Sequence, residues 1–523
     1  MSLSRRDLLK LGVVGGAALA LPLERTVRAG TSTQSRLASS RLPKPFTLPF
    51  RVPPVLQPSR VDSTTDYYKV YMKPIMADVV PGLKTPLWGY NGSVPGPTVK
   101  VAQGRRTVMR QVNNLPATHP LLRYTPWTSV HLHGSPSAPE YDGYASDITN
   151  PGQYKDYVYP NTPTARTLWY HDHGLHHTAE NVLMGLAAQY HLTDPLEQSL
   201  PIPHGEFDVP LIVSDAMFAT DGQLYFDNHD ESGMFGDVVL VNGVPWPVMK
   251  VKRRRYRFRL LNASISRSYR WSLDSGDPFV VIATDGGLMP EPQRVKSFRQ
   301  GMAERYEVVV DFSRYPVGRR VVLGNSSPKN NIDYDNTNKV MAFDVVGDDF
   351  DPADNAVPDQ LNPTNPVMAL TAGDAVRTRR LDLVRKNSQW TINGHTWDDV
   401  VRSRFALVEA NPAEGDVEVW EIRNSSGGWF HPVHIHLVDF RVLDRNGVAP
   451  MAHELGPKDV VYVGENETVR VVMRFEGRGK YMIHCHNLVH EDHDMMSQFE
   501  VVAGESTDPM SDPCRSLPED GEL

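Results

Sequence analysis

Apolar and polar residues alternate over short stretches of this chain, and helical periodicity sustained over several turns is scarce. The run Ser129-Val130-His131-Leu132-His133 has the period of two expected of a strand and stops at the turn residues Gly134-Ser135-Pro136. Val238–Val241, Tyr256–Leu261, Phe279–Ala283, Glu307–Asp311, Val321–Leu323 and Val469–Phe475 read the same way. Many short strands punctuated by turns predict an all-β chain of sandwiches or barrels. Two stretches interrupt the pattern. Thr193–Phe207 is polar and carries Pro195, Pro201 and Pro203, and Asp348–Pro366 carries Pro352, Pro358, Pro363 and Pro366 among acidic residues. Read as linkers, they leave pieces at 45–195, 205–347 and 370–503, each of a size for one β-sandwich. The remaining 504–523 is a polar tail with Asp508-Pro509 and Asp512-Pro513, expected to be poorly ordered.

Composition narrows the picture. The 523 residues include 54 basic and 62 acidic, for a net charge of −8. An acidic balance without a long basic stretch argues against nucleic acid as the main partner. Domains of this size bury a core without disulfide staples, and two cysteines, Cys485 and Cys514, do not make a disulfide scaffold. The 38 glycines and 42 prolines suit a turn-rich β protein. At the N-terminus, Ser-Arg-Arg-Asp-Leu-Leu-Lys (4–10) precedes the apolar run Leu11–Leu23 and then Val27-Arg28-Ala29. A charged segment, a short apolar one and small residues in that order predict an export signal over 1–29. The apolar run is 13 residues, where a bilayer span takes about 20. Arg5-Arg6 resemble a twin-arginine signal, which would make the twin-arginine export machinery a partner and deliver the folded chain to the periplasm or the exterior. No later segment reads as a membrane span, and a monomer is expected.

The chemistry is concentrated in four His-x-His motifs: His131-Leu132-His133, His171-Asp172-His173, His434-Ile435-His436 and His484-Cys485-His486. On a strand both rings of each pair face the same way. Eight imidazoles therefore meet if the first and third pieces dock. The middle piece holds only His229, with His204 in the linker before it, and reads as a metal-free spacer. Cys485 alternates with His484 and His486, so its thiolate points to the opposite face. His490 and Met495 follow on what reads as a loop leaving the strand, and His431 lies three residues before His434. Two imidazoles, a thiolate and a distant thioether are the ligand set of a blue-copper site. An electron arriving there can pass along the backbone at Cys485 to a histidine-bound cluster. One blue copper and three clustered coppers store four electrons, the number needed to reduce dioxygen to two waters.

His-Leu-His-Gly, Trp-Tyr-His-Asp-His-Gly, His-Pro-Val-His-Ile-His and His-Cys-His-x3-His-x4-Met resemble the motifs of the multicopper oxidases. Tyr90–Pro97 and Ala303–Glu307 extend the resemblance over nearly the whole mature chain. The chain most resembles the subgroup of bilirubin oxidases and bacterial spore-coat laccases, and residues 484–496 and Trp429-Phe430-His431 are especially similar to the bilirubin oxidases. The resemblance implies three consecutive cupredoxin-like Greek-key β-sandwich domains and four coppers per chain. It implies His431, Cys485, His490 and Met495 at the type 1 copper, and His131 and His434 at type 2. It implies His133, His171, His173, His436, His484 and His486 at the type 3 pair. Gly174 stands where the nearest relatives often have alanine, and the 18 methionines form no inserted methionine-rich segment, which speaks against a dedicated cuprous oxidase.

Oxygen reduction also consumes four protons, which copper does not supply. Glu491 and Asp142 match acidic positions that the family uses as proton relays; hydrogen bonding to a ligand histidine is the competing role. Trp429 reads equally as a gate on electron flow and as a packed aromatic. His176, His177 and His493 fit no ligand spacing, Cys514 reads as a solvated thiol, and Asn91, Asn262, Asn325, Asn424 and Asn466 in Asn-x-Ser/Thr read as turn residues. The expected activity is one-electron oxidation of phenols, aromatic amines or bilirubin-like tetrapyrroles with dioxygen as acceptor. The alternatives are an oxidase of Cu(I), Mn(II) or Fe(II), and a non-catalytic cupredoxin-repeat protein of the cell envelope.

Overall fold

The alternation in the sequence becomes paired sheets. The computed structural model describes residues 34–348, 354–502, 508–519, 521 and 523, so the signal read over 1–29 lies outside the described residues. Each of three cupredoxin-like domains packs one sheet on another. The first has a six-stranded sheet against a four-stranded one made of Val99–Ala102, Ala187–Thr193, Arg166–Asp172 and Val130–His133. The middle domain pairs a seven-stranded with a five-stranded sheet. The third sets a five-stranded sheet against a four-stranded one of Val460–Val463, His431–Ile435, Gly479–Cys485 and Met496–Val501. The strands read from the pattern are present, Val238–Val241 among them. The α-helices stop at six residues, and no helix among the described residues is long and apolar enough to cross a membrane.

The apolar interior is divided unequally. One cluster runs continuously through the first two domains and takes in Val460, Leu488 and Val489 of the third. The third domain otherwise has its own core, which includes Cys485 and Met495.

Four expectations change on sight of the packing. Within Thr193–Phe207, Asp194 caps the short helix Pro195–Ser199, and Glu197 on it is buried against Arg257 at 2.5 Å; a polar stretch is held here by an internal ion pair. The described part of the tail, 508–519, is held by the first domain. Arg515–Ser516 pairs antiparallel with Gln153–Tyr159 of the first domain, and Glu519 accepts from Lys69, Tyr71 and Arg110. Its polarity is consumed by these partners, and half-buried Cys514 lies 3.3 Å from Gln153 Oε1 rather than in solvent. Asn91 and Asn466 do sit in left-handed turns, but Asn262, Asn325 and Asn424 are buried at strand ends, where their amides tie neighbouring loops.

Candidate metal centre

The histidine pairs stand where the strand period puts them. His131 is directly opposite His171 across the first domain's four-stranded sheet, and His434 directly opposite His484 in the third domain's. These two sheets face each other, so eight rings enclose one cavity between the outer domains. All eight are buried. Their ligand atoms sort into groups within 4.8 Å of one another: His133 with His171 and His486; His173 with His436 and His484; and His131 with His434 and, again, His133.

Outward hydrogen bonds fix which nitrogen faces inward. The Nδ1 atoms of His131, His171 and His434 donate to the carbonyls of Asp142 (2.5 Å), Asp172 (2.7 Å) and Asp459 (2.8 Å). His436 Nδ1 donates to Asp142 Oδ2 at 2.8 Å, and His484 Nδ1 is 2.9 Å from Glu491 Oε2. That leaves bare lone pairs facing each other, His131 Nε2 and His434 Nε2 at 3.4 Å and His436 Nε2 and His484 Nε2 at 3.1 Å. His171 Nε2, His133 Nδ1 and both nitrogens of His486 meet no hydrogen-bond partner in the protein. Lone pairs converging among buried rings repel unless a cation lies between them, so the donor set fits metal ions. Burial also pushes His133, His171, His434, His436 and His486 well below the ordinary imidazole range and His173 down to about 3. Those six rings are thus neutral and free to ligate.

Cys485 turns the other way, into the third domain. Its Sγ is 3.3 Å from His431 Nδ1 and 3.7 Å from His490 Nδ1, and those two nitrogens are 3.3 Å apart. The far nitrogens are tied down, His431 Nε2 to Ser426 Oγ at 2.7 Å and His490 Nε2 to the Ser232 carbonyl at 3.1 Å. Met495 is buried in the same core. Burial raises the Cys485 thiol, against the Asn487 backbone N–H, which favours the thiolate. Two imidazoles and a thiol at these separations suit a soft cation such as copper.

His490 lies not on a loop but on the short helix Leu488–Asp492, which begins where the Asn487 side chain accepts the Val489 N–H. Neighbouring residues on a helix diverge by about 100°, so His490 points at Cys485 while Glu491 points into the histidine cavity. Glu491 Oε1 is 3.3 Å from His173 Nδ1. Burial alone would raise both carboxyls near the cavity. His484 and His173 hold Glu491 below its ordinary value, whereas Asp142 stays raised.

His176, His177 and His493 belong to none of the metal-binding groups found among the described residues; His177 stacks on Tyr124 at 3.7 Å. Trp429 packs edge-on to His490 at 5.8 Å. Sequence reasoning passed over Trp390, stacked face to face on His490 at 3.8 Å, and over Ser426 and Ser232. It also passed over Asp459. The signal for Asp459 was a charged pair, Lys458-Asp459, abutting the apolar run Val460–Val463.

Family models described as multicopper oxidase match residues 72–196, 208–344 and 373–505. The bilirubin oxidase of Albifimbria verrucaria is 44% identical over 483 residues, covering 87% of this chain and 81% of that protein. A laccase of Bacillus subtilis is 33% identical over 513 residues, covering 86% and 97%. Among solved structures, a laccase from Pediococcus acidilactici superposes with a TM-score of 0.78 at 30% identity, over 88% of this chain and 95% of that one.

Proposed function

The chain belongs to the multicopper oxidase family, and on that premise we propose that it couples one-electron oxidation of phenols, aromatic amines or bilirubin-like tetrapyrroles to reduction of dioxygen to water. The observation that carries this reading is the strand Gly479–Cys485 and its continuation. Cys485 joins His431 and His490, while His484 and His486 on either side of it enter the histidine cavity. His431, Cys485 and His490, with Met495 as the weak fourth donor, would hold one copper. His131 and His434 would hold a second. His133, His171 and His486, and His173, His436 and His484, would hold the paired third and fourth. When bound, copper supplies one-electron chemistry at the cysteine site and multi-electron chemistry toward dioxygen in the cavity.

The chain's own residues do the rest. A single peptide bond joins the cysteine to each flanking histidine, a covalent path between the centres. Burial of the cavity excludes bulk water. Burial raises the Asp142 carboxyl, so it takes up a proton more readily than a free aspartate, and its Oδ2 accepts from His436 Nδ1. Glu491, held charged by His484 and His173, accepts a proton at Oε1 or Oε2 and returns it to the cavity it faces. Arg5-Arg6 and the apolar run after them support export by the twin-arginine route.

A second reading, oxidation of a metal ion, draws on one observation. The Ser232 carbonyl that caps His490 follows Asp227, Asp230 and Glu231, and the Asp227 and Glu231 side chains are 45% and 47% exposed. A cationic donor would meet carboxylates there. Oxygen uptake by copper-loaded protein, screened over a phenol, bilirubin, Cu(I), Mn(II) and Fe(II), tests both readings. Turnover of the organic donors is expected. Uptake only with metal ions selects the second reading, and uptake with no donor overturns both.

A further inference from the structure

The middle domain supplies none of the metal-binding groups among the described residues, yet its side chains reach both walls of the histidine cavity. Arg305 is fully buried where the three domains meet. Its Nε donates to the carbonyl of Thr167, on the first-domain strand that carries His171. Its terminal nitrogens grip Asp459 of the third domain, Nη1 on Oδ1 at 2.6 Å and Nη2 on Oδ2 at 2.5 Å. Asp285, also of the middle domain, accepts the Arg305 backbone N–H on Oδ1 and those of Asp459 and Val460 on Oδ2. The middle domain therefore holds Asp459 by its carboxylate and by its backbone at once.

Asp459 in turn touches one histidine from each outer domain. Its Oδ1 accepts from His133 Nε2 at 3.0 Å, and its carbonyl accepts from His434 Nδ1 at 2.8 Å. A carboxylate only accepts, so this contact puts the His133 proton on Nε2 and leaves Nδ1, which has no partner, turned inward. His131, His171, His434 and His436 are the reverse, protonated on Nδ1 and bare on Nε2. Asp459 Oδ1 is the atom that turns His133 round. The space this takes is visible at Gly134, directly after His133. A Cβ there would lie 2.6 Å from Arg305 Nη2 and 2.7 Å from Asp459 Oδ2, at a φ of +87°.

We propose that Arg305 and Asp459 are positioning residues for the histidine cavity, by which the middle domain sets the ring nitrogen that His133 presents to copper and steadies His434 beside it. The proposal rests on the copper-binding reading above. An outward partner that fixes a ligand's tautomer typically changes metal affinity by about 10–100-fold when lost.

Asp459→Asn is the sharpest test. Asp459 offers two oxygens to two Arg305 donors and one His133 donor; asparagine offers one oxygen, so its amide N–H₂ must face a donor. Copper per chain, the blue thiolate band, the type 2 paramagnetic resonance signal and the apo-protein Tm are measured on wild type, Asp459→Asn, Arg305→Met and Arg305→Lys. Asp459→Asn and Arg305→Met are expected to lose half or more of their copper, with the type 2 signal diminished and the blue band per chain kept. Arg305→Lys, which retains one charged donor, should recover part of the loss. Full copper and an unchanged type 2 signal in Asp459→Asn would overturn the proposal. So would parallel loss of the blue band and of apo-protein Tm in all three variants, Arg305→Lys included, which marks a merely structural role. A wild-type chain that takes up no copper fails at the underlying reading instead, a result distinguishable from both.

Discussion

The cysteine site and the histidine cavity adjoin along the chain at Cys485, but they are held together differently. The cysteine site is an inclusion in one domain's core: Cys485 and Met495 pack among the apolar residues of the third domain, and the middle domain reaches its rim through the Ser232 carbonyl on His490, the Glu231 carbonyl on Trp390 Nε1 and Ser266 Oγ on Asn487 Oδ1. The cavity has no core of its own. Its walls come from two domains and its outer hydrogen bonds from all three, through Asp142, Asp172, Asp459, Glu491 and Arg305. Packing positions the first site and polar contacts position the second. The first should survive disturbance of domain docking, and the second should register it. The same division gives a role to the middle domain, which supplies no metal-binding group among the described residues: Arg305 and Asp285 tie the cavity's third-domain wall to its first.

The contrast is broken most completely at Cys485. Cys485→Ser is expected to abolish the blue band and bring oxidase activity to background while the cavity keeps its copper; normal turnover in this variant would dissolve the distinction between the sites. Glu491→Gln acts on the cavity alone. It should leave copper content, the blue band and anaerobic reduction by substrate near wild type, and slow reoxidation by dioxygen by roughly 10²-fold. Stopped-flow reoxidation at the wild-type rate would pass the proton role to Asp142.

Acid should sharpen the contrast by a smaller amount. His119 lies in the first-domain wall, stacked on Tyr124 at 5.0 Å. Tyr124 bonds to Asn181, and Asn181 to Asp172 between two cavity histidines. Burial lowers His119 to about 4. The unfolded chain takes up this proton near the ordinary histidine value of 6.5 and the folded one does not. The contribution to stability is therefore fully present above that value and is lost as pH falls toward 4. At pH 5 the loss is about 2 kcal/mol. His119→Asn keeps an acceptor for the Leu121 and Leu122 backbone N–H groups that His119 Nδ1 now serves, and should flatten the apo-protein's Tm against pH; an unchanged slope would place acid sensitivity elsewhere. The smallest effect is expected inside the packed site. Met495→Leu removes a weak donor that favours Cu(II), so the potential should rise, on the order of 60 mV, or about 1.4 kcal/mol for one electron. A fall in redox titration would point to Met496 instead.

What could be read in the sequence follows the same line. The four histidine pairs and Cys485 were legible because a strand's period of two is local: three consecutive residues decide which faces carry His484, Cys485 and His486. The sorting of six histidines into His133, His171, His486 and His173, His436, His484 was not, because it depends on how two domains separated by some 300 residues dock. Arg305 and Asp459 were hidden for that reason. The helix at His490 was legible in principle from Asn487, whose side chain starts it. The tail misled because charge near a terminus usually means solvent, whereas Glu519 spends its charge on Lys69 and Arg110.

That tail bears on how the protein is made. The strand Gln153–Tyr159 ends its sheet, and the neighbour that closes it is Arg515–Ser516. A ribosome delivers the first domain long before those two residues, so for most of synthesis the domain stands with an unpaired edge, the kind that recruits foreign strands. Residues that follow the third domain along the chain are thus the ones that close the edge of the first. A chain stopped after Pro513 would retain every residue proposed as a copper ligand and still present an open edge.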